Sequence, residues 1–200
     1  IVDFAKRNDI SIDLAGFDVE MERHQNLSRV GAEQKFKGGL GDTSEMSVKY
    51  HTATHLLNVA LKKVLGQNVS QKGSNITAER LRFDFSHDTK MTDEQKKTVE
   101  DIVNGAIVAG LPVSFESMSL EKARDLGAVG VFGERYPDTV TVYTIGQQRS
   151  TATDAGDDDV FSREICGGPH VENTGTLGHF KIVKEEAVSQ GVRRIKAVLG

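Results

Sequence analysis

Hydrophobic residues recur at helical spacing over one long stretch in the first half of the chain. The stretch begins at Asp42-Thr43-Ser44-Glu45, which is typical of a helix N-terminus, and Gly66 predicts its end. Apolar side chains between these limits fall mostly three or four residues apart: Met46, Leu56, Leu57, Ala60, Leu61, Val64 and Leu65. The pattern predicts an amphipathic helix with one buried face. A second helix is predicted after Thr92, whose capping partner is Gln95.

Much of the remaining chain alternates with the two-residue period of β-strands. The clearest case is Arg80–Phe85, in which Leu81, Phe83 and Phe85 face one side. Further strands are predicted at residues 68–74, 111–118, 139–145, 161–166, 176–183 and 193–199, and a short helix at 119–126. Few helices among many strands predict an α+β fold with a largely antiparallel sheet packed against helices.

The chain separates into a leading segment and a main domain. Residues 16–27 have high helix propensity but few apolar positions, which predicts an exposed helix. The glycine-rich stretch 35–41 predicts a linker, so that residues 1–40 form a helical lead-in and residues 41–200 form one domain. A polar stretch over 146–159 predicts a mobile loop.

Composition places the chain among globular proteins of a reducing compartment. Its 200 residues carry 25 basic and 29 acidic side chains, so any contact with nucleic acid must come from a local basic patch. The single cysteine excludes an internal disulfide. No apolar stretch is long enough to span a bilayer and no signal peptide opens the chain, which predicts a cytoplasmic protein without membrane contact. The first residue is Ile rather than Met, which indicates a piece of a longer protein.

Two short motifs contain four residues that could bind one metal ion. His51 and His55 lie four residues apart in the long helix, so their imidazoles point to one side. Cys166 and His170 flank a Gly-Gly-Pro sequence that allows a tight loop. The two motifs use the only cysteine and three of the six histidines, a donor set that predicts one zinc site. Four ligands favour a structural ion, whereas hydrolytic zinc keeps a position open for water, and both remain possible.

The same motifs resemble the editing domain of alanyl-tRNA synthetases. The resemblance rests on HTATHLL at residues 51–57, QKGS at 71–74, RLRFDFSH at 80–87, CGGPHV at 166–171 and GVRRI at 191–195. It runs in order from about residue 47 to residue 200, and residues 11–37 resemble the segment that precedes this domain. Free-standing alanyl editing proteins and the editing domain of threonyl-tRNA synthetase are related to it.

The resemblance implies an enzyme that hydrolyses the ester bond of tRNA(Ala) mischarged with serine or glycine. The metal ligands of the family fall on His51, His55, Cys166 and His170, and its active-site glutamine falls on Gln71. The implied cofactor is zinc, and the implied partners are the acceptor end of tRNA(Ala) and the remainder of a synthetase. No stretch of the sequence resembles the aminoacylation core of that enzyme.

Residues near these positions are candidates for contacts with the substrate. Thr52 and Thr54 adjoin the histidines and could contact a serine hydroxyl, although packing within the helix explains them at least as well. Basic residues are concentrated in residues 61–82 and 181–200, where they could contact phosphate or simply form a solvated surface. The candidates for tRNA binding are Lys62, Lys63, Lys72, Arg80, Arg82, Arg193 and Arg194.

Two departures from the family pattern leave alternatives open. Pro169 stands where alanyl-type domains have Thr, and Cys-x-Gly-Pro-His is the threonyl form, in which these residues need not hold a metal. Only residues 38–50 separate the leading segment from His51, so the β-barrel subdomain common at this point is expected to be missing. The alternatives are a threonyl-type editing domain, a zinc-stabilised tRNA-binding module without activity of its own, and a purely structural zinc domain.

Overall fold

The structure is a computed structural model that describes residues 13, 16–17, 19–21, 44–131, 135–147 and 159–200. The chain divides into two units, Ile1–Phe36 and Lys37–Gly200. In the first unit, residues 16–17 and 19–21 are helical, and the N–H of Gly16 donates to Oδ1 of Asp13 at 2.8 Å. The predicted linker lies outside the described residues, and the division at residue 40 stays a prediction.

The described part of the second unit contains three α-helices, one 3-10 turn and seven strands. The helices are α1 (Glu45–Leu65), α2 (Asp93–Val108) and α3 (Leu120–Asp125), and the 3-10 turn spans Thr174–Thr176. The strands are β1 (Gln71–Ile76), β2 (Leu81–Ser86), β3 (Val113–Ser119), β4 (Thr139–Gln147), β5 (Asp159–Ile165), β6 (Phe180–Ser189) and β7 (Val192–Leu199). They pair antiparallel in two sheets, ordered β1-β2-β7-β6 and β3-β4-β5. The predicted α+β class is confirmed, with the strands divided between two sheets.

Helix α1 is the central element of the core. Ser44 caps its N-terminus and Gly66 its C-terminus, as predicted. The hydroxyl of Tyr50 donates to the carbonyl of Glu79 at 3.0 Å and accepts from the N–H of Leu199 at 3.1 Å. Because these two bonds reach the turn before β2 and the last residue of β7, at one end of the four-stranded sheet, they fix the position of the helix that carries the HxxxH motif.

The four-stranded sheet buries one face against α1 and α2. Leu81, Phe83 and Phe85 are fully buried on that face, as the alternating pattern predicts. Helix α2 also covers the outer edge of β6, since the side chain of Asn104 exchanges two hydrogen bonds with the backbone of Phe180. Covering an edge strand in this way prevents it from pairing with another chain.

The three-stranded sheet has two differently occupied faces. On one face, Val140, Val142 and Ile165 pack with Met118 and with Ala123 of α3 in a small second core. The opposite face carries Ile145 into the main core. Tyr143 and Glu164 lie on that same face, because they are paired across β4 and β5 and alternate with Val142 and Ile165. The sheet therefore presents polar and aromatic side chains toward α1.

Two predicted strands were placed wrongly. The strand predicted at residues 176–183 begins instead at Phe180, and residues 174–176 form a 3-10 turn. The side chain of Asn173 caps this turn by accepting the N–H of Gly175 at 2.8 Å. The first strand begins at Gln71 rather than residue 68, since the chain turns after Gly66. The predicted loop over 146–159 lies mostly outside the described residues, although its ends belong to β4 and β5. In the described part of the chain, no helix is both long and apolar enough to cross a membrane.

Candidate metal centre

The fold brings the two metal-ligand motifs together. Helix α1 supplies His51 and His55, and the segment after β5 supplies Cys166 and His170. One ligand atom from each of the four residues lies within 4.8 Å of the others. His51, His55 and Cys166 are buried, with at most 4% of their surface exposed, whereas His170 is partly exposed. The cluster therefore opens to solvent on the side of His170.

Pro169 orients the first histidine of the cluster. Nδ1 of His51 donates to the carbonyl oxygen of Pro169 at 3.0 Å. With its proton on Nδ1, the ring turns the lone pair of Nε2 toward Cys166, whose Sγ lies 3.3 Å away. The carbonyl that performs this task belongs to the backbone, so the replacement of Thr by Pro does not remove it.

Thr52 joins the helix to the loop that carries the other two candidate ligands. Its hydroxyl donates to the carbonyl of Val48 at 3.3 Å and accepts the N–H of Val171 at 3.1 Å. Nδ1 of His170 lies 3.1 Å from the same oxygen. Because the hydroxyl proton is used on Val48, Nδ1 of His170 is the donor, and Nε2 carries the lone pair. Thr52 thus sets the ring orientation of His170.

Glu164 lies behind the cluster and contacts one of its members. Its Oε1 accepts from Nδ2 of Asn58 at 2.9 Å and from the hydroxyl of Ser162 at 3.3 Å. Its Oε2 lies 3.7 Å from Nε2 of His55. The four mutually close ligand atoms do not include this carboxylate, so Glu164 acts on His55 rather than belonging to the group.

Burial keeps the metal-free cluster neutral. Desolvation lowers the pKa of His51 to about 3 and that of His55 to about 4, and the pKa of His170 is lowered for the same reason. Desolvation also raises the pKa of Cys166 to about 12, although the backbone N–H groups that face its sulfur oppose this. Neutral imidazoles are the form that binds a metal, whereas the thiol must lose a proton to do so.

The donor atoms fit a zinc ion. Zinc bonds nitrogen and sulfur at about 2.0–2.3 Å, so tetrahedral ligand atoms lie roughly 3.5 Å apart, and the cluster needs only a small contraction to reach this spacing. Nδ1 of His55 and Nε2 of His170 are buried without a hydrogen-bond partner. Buried polar nitrogens are rarely left in this state, and a metal ion would satisfy both.

Comparison with known proteins points to the part of the chain that carries Cys166 and His170, and to alanine–tRNA ligases. Residues 140–196, which include Cys166 and His170, match the model of the threonyl and alanyl tRNA synthetase second additional domain. This part of the chain is similar to that family. The chain is also 55% identical over 197 residues to an alanine–tRNA ligase of Treponema denticola, and 53% identical over 197 residues to one of Treponema pallidum. An alanine–tRNA ligase of Pseudoalteromonas translucida is 43% identical over 173 residues.

The similarity covers most of this chain but a minor part of each ligase. The matches span 98%, 98% and 86% of the chain, against 31%, 30% and 18% of the three ligases in the same order. The chain thus corresponds to one region of these alanyl-tRNA synthetase relatives. The resemblance seen in the sequence motifs is confirmed.

Gln71 and Thr54, which were predicted to contact the substrate, lie in different environments. Gln71 is half-buried at the start of β1, and no hydrogen bond among the described residues joins it to the cluster. The hydroxyl of Thr54 is buried and donates to the carbonyl of Tyr50 at 2.8 Å, which favours the packing interpretation. Their roles toward the substrate stay predictions.

The predicted tRNA-binding residues of the two basic segments differ in their exposure and in the bonds they make to other protein groups. Arg194 makes two hydrogen bonds to Asp84, at 2.7 and 2.8 Å, and Arg193 pairs with Glu185 at 2.5 Å. Arg80 bonds to Asn75 and Arg82 faces Asp84, while Lys62 is half-buried. Lys63 and Lys72 are exposed, and the ammonium of Lys63 lies 4.6 Å from the ring centre of Phe161.

Sequence reasoning missed Glu164, Asn58 and Tyr143. Glu164 stands two residues before Cys166 in a predicted strand. Because side chains alternate along a strand, this spacing places both on the same face, and the sequence alone could have identified Glu164. Asn58 lies seven residues after His51 in α1, on the same helical face. Tyr143 offered no such signal, because only the pairing of β4 with β5 places it beside the cluster.

Proposed function

We propose that this chain is the editing domain of an alanyl-tRNA synthetase and hydrolyses the ester of Ser-tRNA(Ala) and Gly-tRNA(Ala). The observation that carries the proposal is the convergence of His51, His55, Cys166 and His170 within 4.8 Å, with two buried imidazole nitrogens that have no partner. The similarity to alanine–tRNA ligases over 98% of the chain supports the choice of tRNA. A cytoplasmic location follows from this role.

A separate hydrolytic site is needed because a binding pocket cannot select alanine strictly enough over glycine and serine. A pocket that admits alanine cannot exclude the smaller glycine sterically. It also rejects serine weakly, because an added hydroxyl in such a pocket changes selection by only about a hundredfold. Errors must therefore be removed after the ester has formed.

The residues of this chain would prepare the site in three ways. The four ligands would hold zinc, which when bound supplies Lewis acidity for water or for the ester carbonyl. Pro169, Thr52 and Glu164 orient the imidazoles, so the geometry exists before the substrate arrives. Burial of the cluster excludes bulk water from every side except that of His170.

Gln71 would recognise the aminoacyl group. Its amide both donates and accepts hydrogen bonds, which suits the amine and hydroxyl of a seryl ester. We expect Gln71→Ala to lower the turnover of Ser-tRNA(Ala), or its preference over Ala-tRNA(Ala), with zinc content and thermal unfolding unchanged. Identical kinetics on both esters would remove Gln71 from the site.

Deacylation assays with matched substrates test the proposal. The zinc-loaded chain is incubated with Ser-tRNA(Ala), Gly-tRNA(Ala), Ala-tRNA(Ala) and Ser-tRNA(Thr), with buffer as the blank. We expect fast release of serine and glycine from tRNA(Ala) and slow release of alanine. Preference for Ser-tRNA(Thr) would instead indicate the threonyl type, which the Pro169 motif makes the specific alternative. Salt-sensitive binding of tRNA(Ala) without any hydrolysis would indicate a binding module.

The exposed Lys63 is the better candidate for a phosphate contact within this proposal. It extends from α1, near the motif that carries His55 in sequence. The arginines of β7 already bond to carboxylates, so a phosphate would have to compete with Asp84 and Glu185. The remainder of a synthetase is expected to supply further tRNA contacts.

A further inference from the structure

A row of three side chains crosses the three-stranded sheet from its exposed edge to the metal cluster. Phe115 of β3 lies opposite Tyr143 of β4, and Tyr143 lies opposite Glu164 of β5. Residues directly opposite one another in antiparallel strands project from the same face. Glu164 occupies the buried end of the row beside His55, and Phe115 occupies the exposed end.

The rings of this row are in contact up to the cluster. The ring centres of Phe115 and Tyr143 are 5.3 Å apart, and those of Tyr143 and His170 are 4.2 Å apart. His170 is the partly exposed member of the four candidate ligands. An aromatic surface therefore extends from solvent to the open side of the metal centre.

Phe115 is exposed at the outer edge of the three-stranded sheet. Its side chain is 69% exposed, and its neighbours Ser114, Glu116 and Ser117 on β3 are exposed as well. Strand β3 is the edge of its sheet, so a ligand can reach the ring from the side and from above. A phenyl ring in such a position offers a flat apolar surface, which suits the π-face of an unpaired nucleobase.

We propose that Phe115 and Tyr143 form a stacking platform for the unpaired 3′-terminal adenine of tRNA. This inference rests on the proposed function, because an aminoacyl ester is joined to the ribose of that adenosine. An ester carbonyl held at the four-residue cluster would place the ribose beside His170 and bring the base within reach of the aromatic rings. The platform holds the substrate by its terminal nucleotide and leaves the chemistry to the cluster.

Tryptophan fluorescence tests the platform without requiring hydrolysis. The chain contains no Trp, so Phe115→Trp introduces a unique fluorophore. The zinc-loaded variant is titrated with uncharged tRNA(Ala) and with the same tRNA lacking its terminal adenosine. We expect the intact tRNA to quench the emission and the truncated tRNA to leave it nearly unchanged. Equal quenching by both, or quenching by neither, would overturn the proposal.

A matched variant controls for binding elsewhere on the molecule. Val183 is 57% exposed on β6 of the other sheet, so Val183→Trp reports general contact with tRNA. Its emission should not depend on the terminal adenosine. The same dependence in both variants would show that the signal does not come from stacking at Phe115, and the platform would be rejected.

Kinetics provide a second, independent measurement. Phe115→Ala should raise the KM for Ser-tRNA(Ala) roughly fivefold to hundredfold, the range for loss of one stacked base, while kcat and zinc content change little. Phe115→Trp should restore KM. An unchanged KM in Phe115→Ala would overturn the platform. If the unmodified chain hydrolyses no ester, the proposed function fails, yet the fluorescence titration still decides the platform.

Discussion

The two sheets of the molecule use their polar residues in opposite ways. On the four-stranded sheet, Asp84 faces Arg82 and Arg194, and Glu186 faces Lys184 and Lys196. These opposite charges neutralise one another within the sheet. On the three-stranded sheet, Glu164 and Tyr143 point toward the histidine cluster.

This difference shows that the number of charged residues in a segment does not tell how many of them a ligand can contact. Residues 181–200 contain five basic side chains and two acidic ones, and four of the basic side chains pair with neighbouring strands or with α2. The three-stranded sheet carries fewer charges, but its one buried carboxylate lies beside a candidate ligand. Chemistry should therefore depend on the face of the three-stranded sheet that meets α1, and the paired charges of the four-stranded sheet should contribute mainly to stability.

Loss of a ligand should have the largest effect. Cys166→Ala and His55→Ala should each lower zinc affinity by more than about 100-fold, the upper range for residues that only orient a ligand, and should abolish deacylation. Equilibrium dialysis against zinc measures the affinity. His179→Ala is the control, because His179 is exposed and outside the cluster. Unchanged zinc affinity in both ligand variants would show that the cluster is not a metal site.

Removing the charge of Glu164 should have the next largest effect. Glu164→Gln keeps the shape of the side chain but weakens its hold on His55, so zinc affinity should fall roughly 10- to 100-fold. Glu116→Gln on β3 of the same sheet is the control, since that carboxylate is exposed and faces Lys122. An equal loss in both variants, or no loss in either, would contradict the assigned role.

Acidification should destabilise the metal-free protein. The pKa values of His51 and His55 in the fold, about 3 and about 4, lie below the unfolded value of 6.5, so the unfolded chain binds more protons below pH 6.5. Each histidine then costs about 2 kcal/mol of unfolding free energy at pH 5, and His170, whose pKa is also lowered, adds to the loss. Glu164 acts in the opposite direction, because burial raises its pKa to about 7 and the folded protein takes up its proton.

Urea denaturation with a chelator present, at pH 7 and pH 5, measures this balance. The free energy of unfolding should decrease toward pH 5, and it should decrease more steeply in Glu164→Gln, which lacks the compensating carboxyl. Cys166 does not contribute in this range, since its pKa is raised to about 12. A stability that rises on acidification would show that the histidines are not buried as neutral groups, and the same slope in both proteins would show that Glu164 takes up no proton on folding.

Single basic residues should have the smallest effects, and they compare an exposed lysine of α1 with a paired arginine of the four-stranded sheet. Lys63→Gln should weaken tRNA binding modestly and reduce the slope of log affinity against log salt by about 1. Arg194→Gln should leave that slope unchanged and lower the free energy of unfolding by about 1 kcal/mol, because Arg194 is bonded to Asp84. A larger change of slope in Arg194→Gln than in Lys63→Gln would reverse our assignment of the two surfaces.

The sequence predicted those parts of the fold that depend on local signals. Ser44 and Gly66 predicted both ends of α1, and Thr92 with Gln95 predicted the capping box of α2. Strand β6 was predicted only to residue 183, whereas it continues to Ser189. Its second half alternates poorly because two bulges shift its register against β7.

The candidate ligands of the site could be predicted from the sequence, but the residues that surround them could not. His51 with His55, and Cys166 with His170, follow recognisable spacings, and the fold brings one ligand-type atom of each within 4.8 Å of the others. Strand pairing, which has no local signature, is what brings Phe115 to Tyr143 and Tyr143 to His170. The division of the strands into two sheets likewise depends on long-range packing.

Metal analysis of the freshly purified chain, combined with cobalt substitution, tests the central claim most directly. We predict one zinc ion per chain, and we predict that Co²⁺ in its place gives the intense visible absorption of a tetrahedral site with a thiolate ligand. Cys166→Ala should lose the thiolate absorption. Protein that hydrolyses Ser-tRNA(Ala) while containing no transition metal would contradict the account.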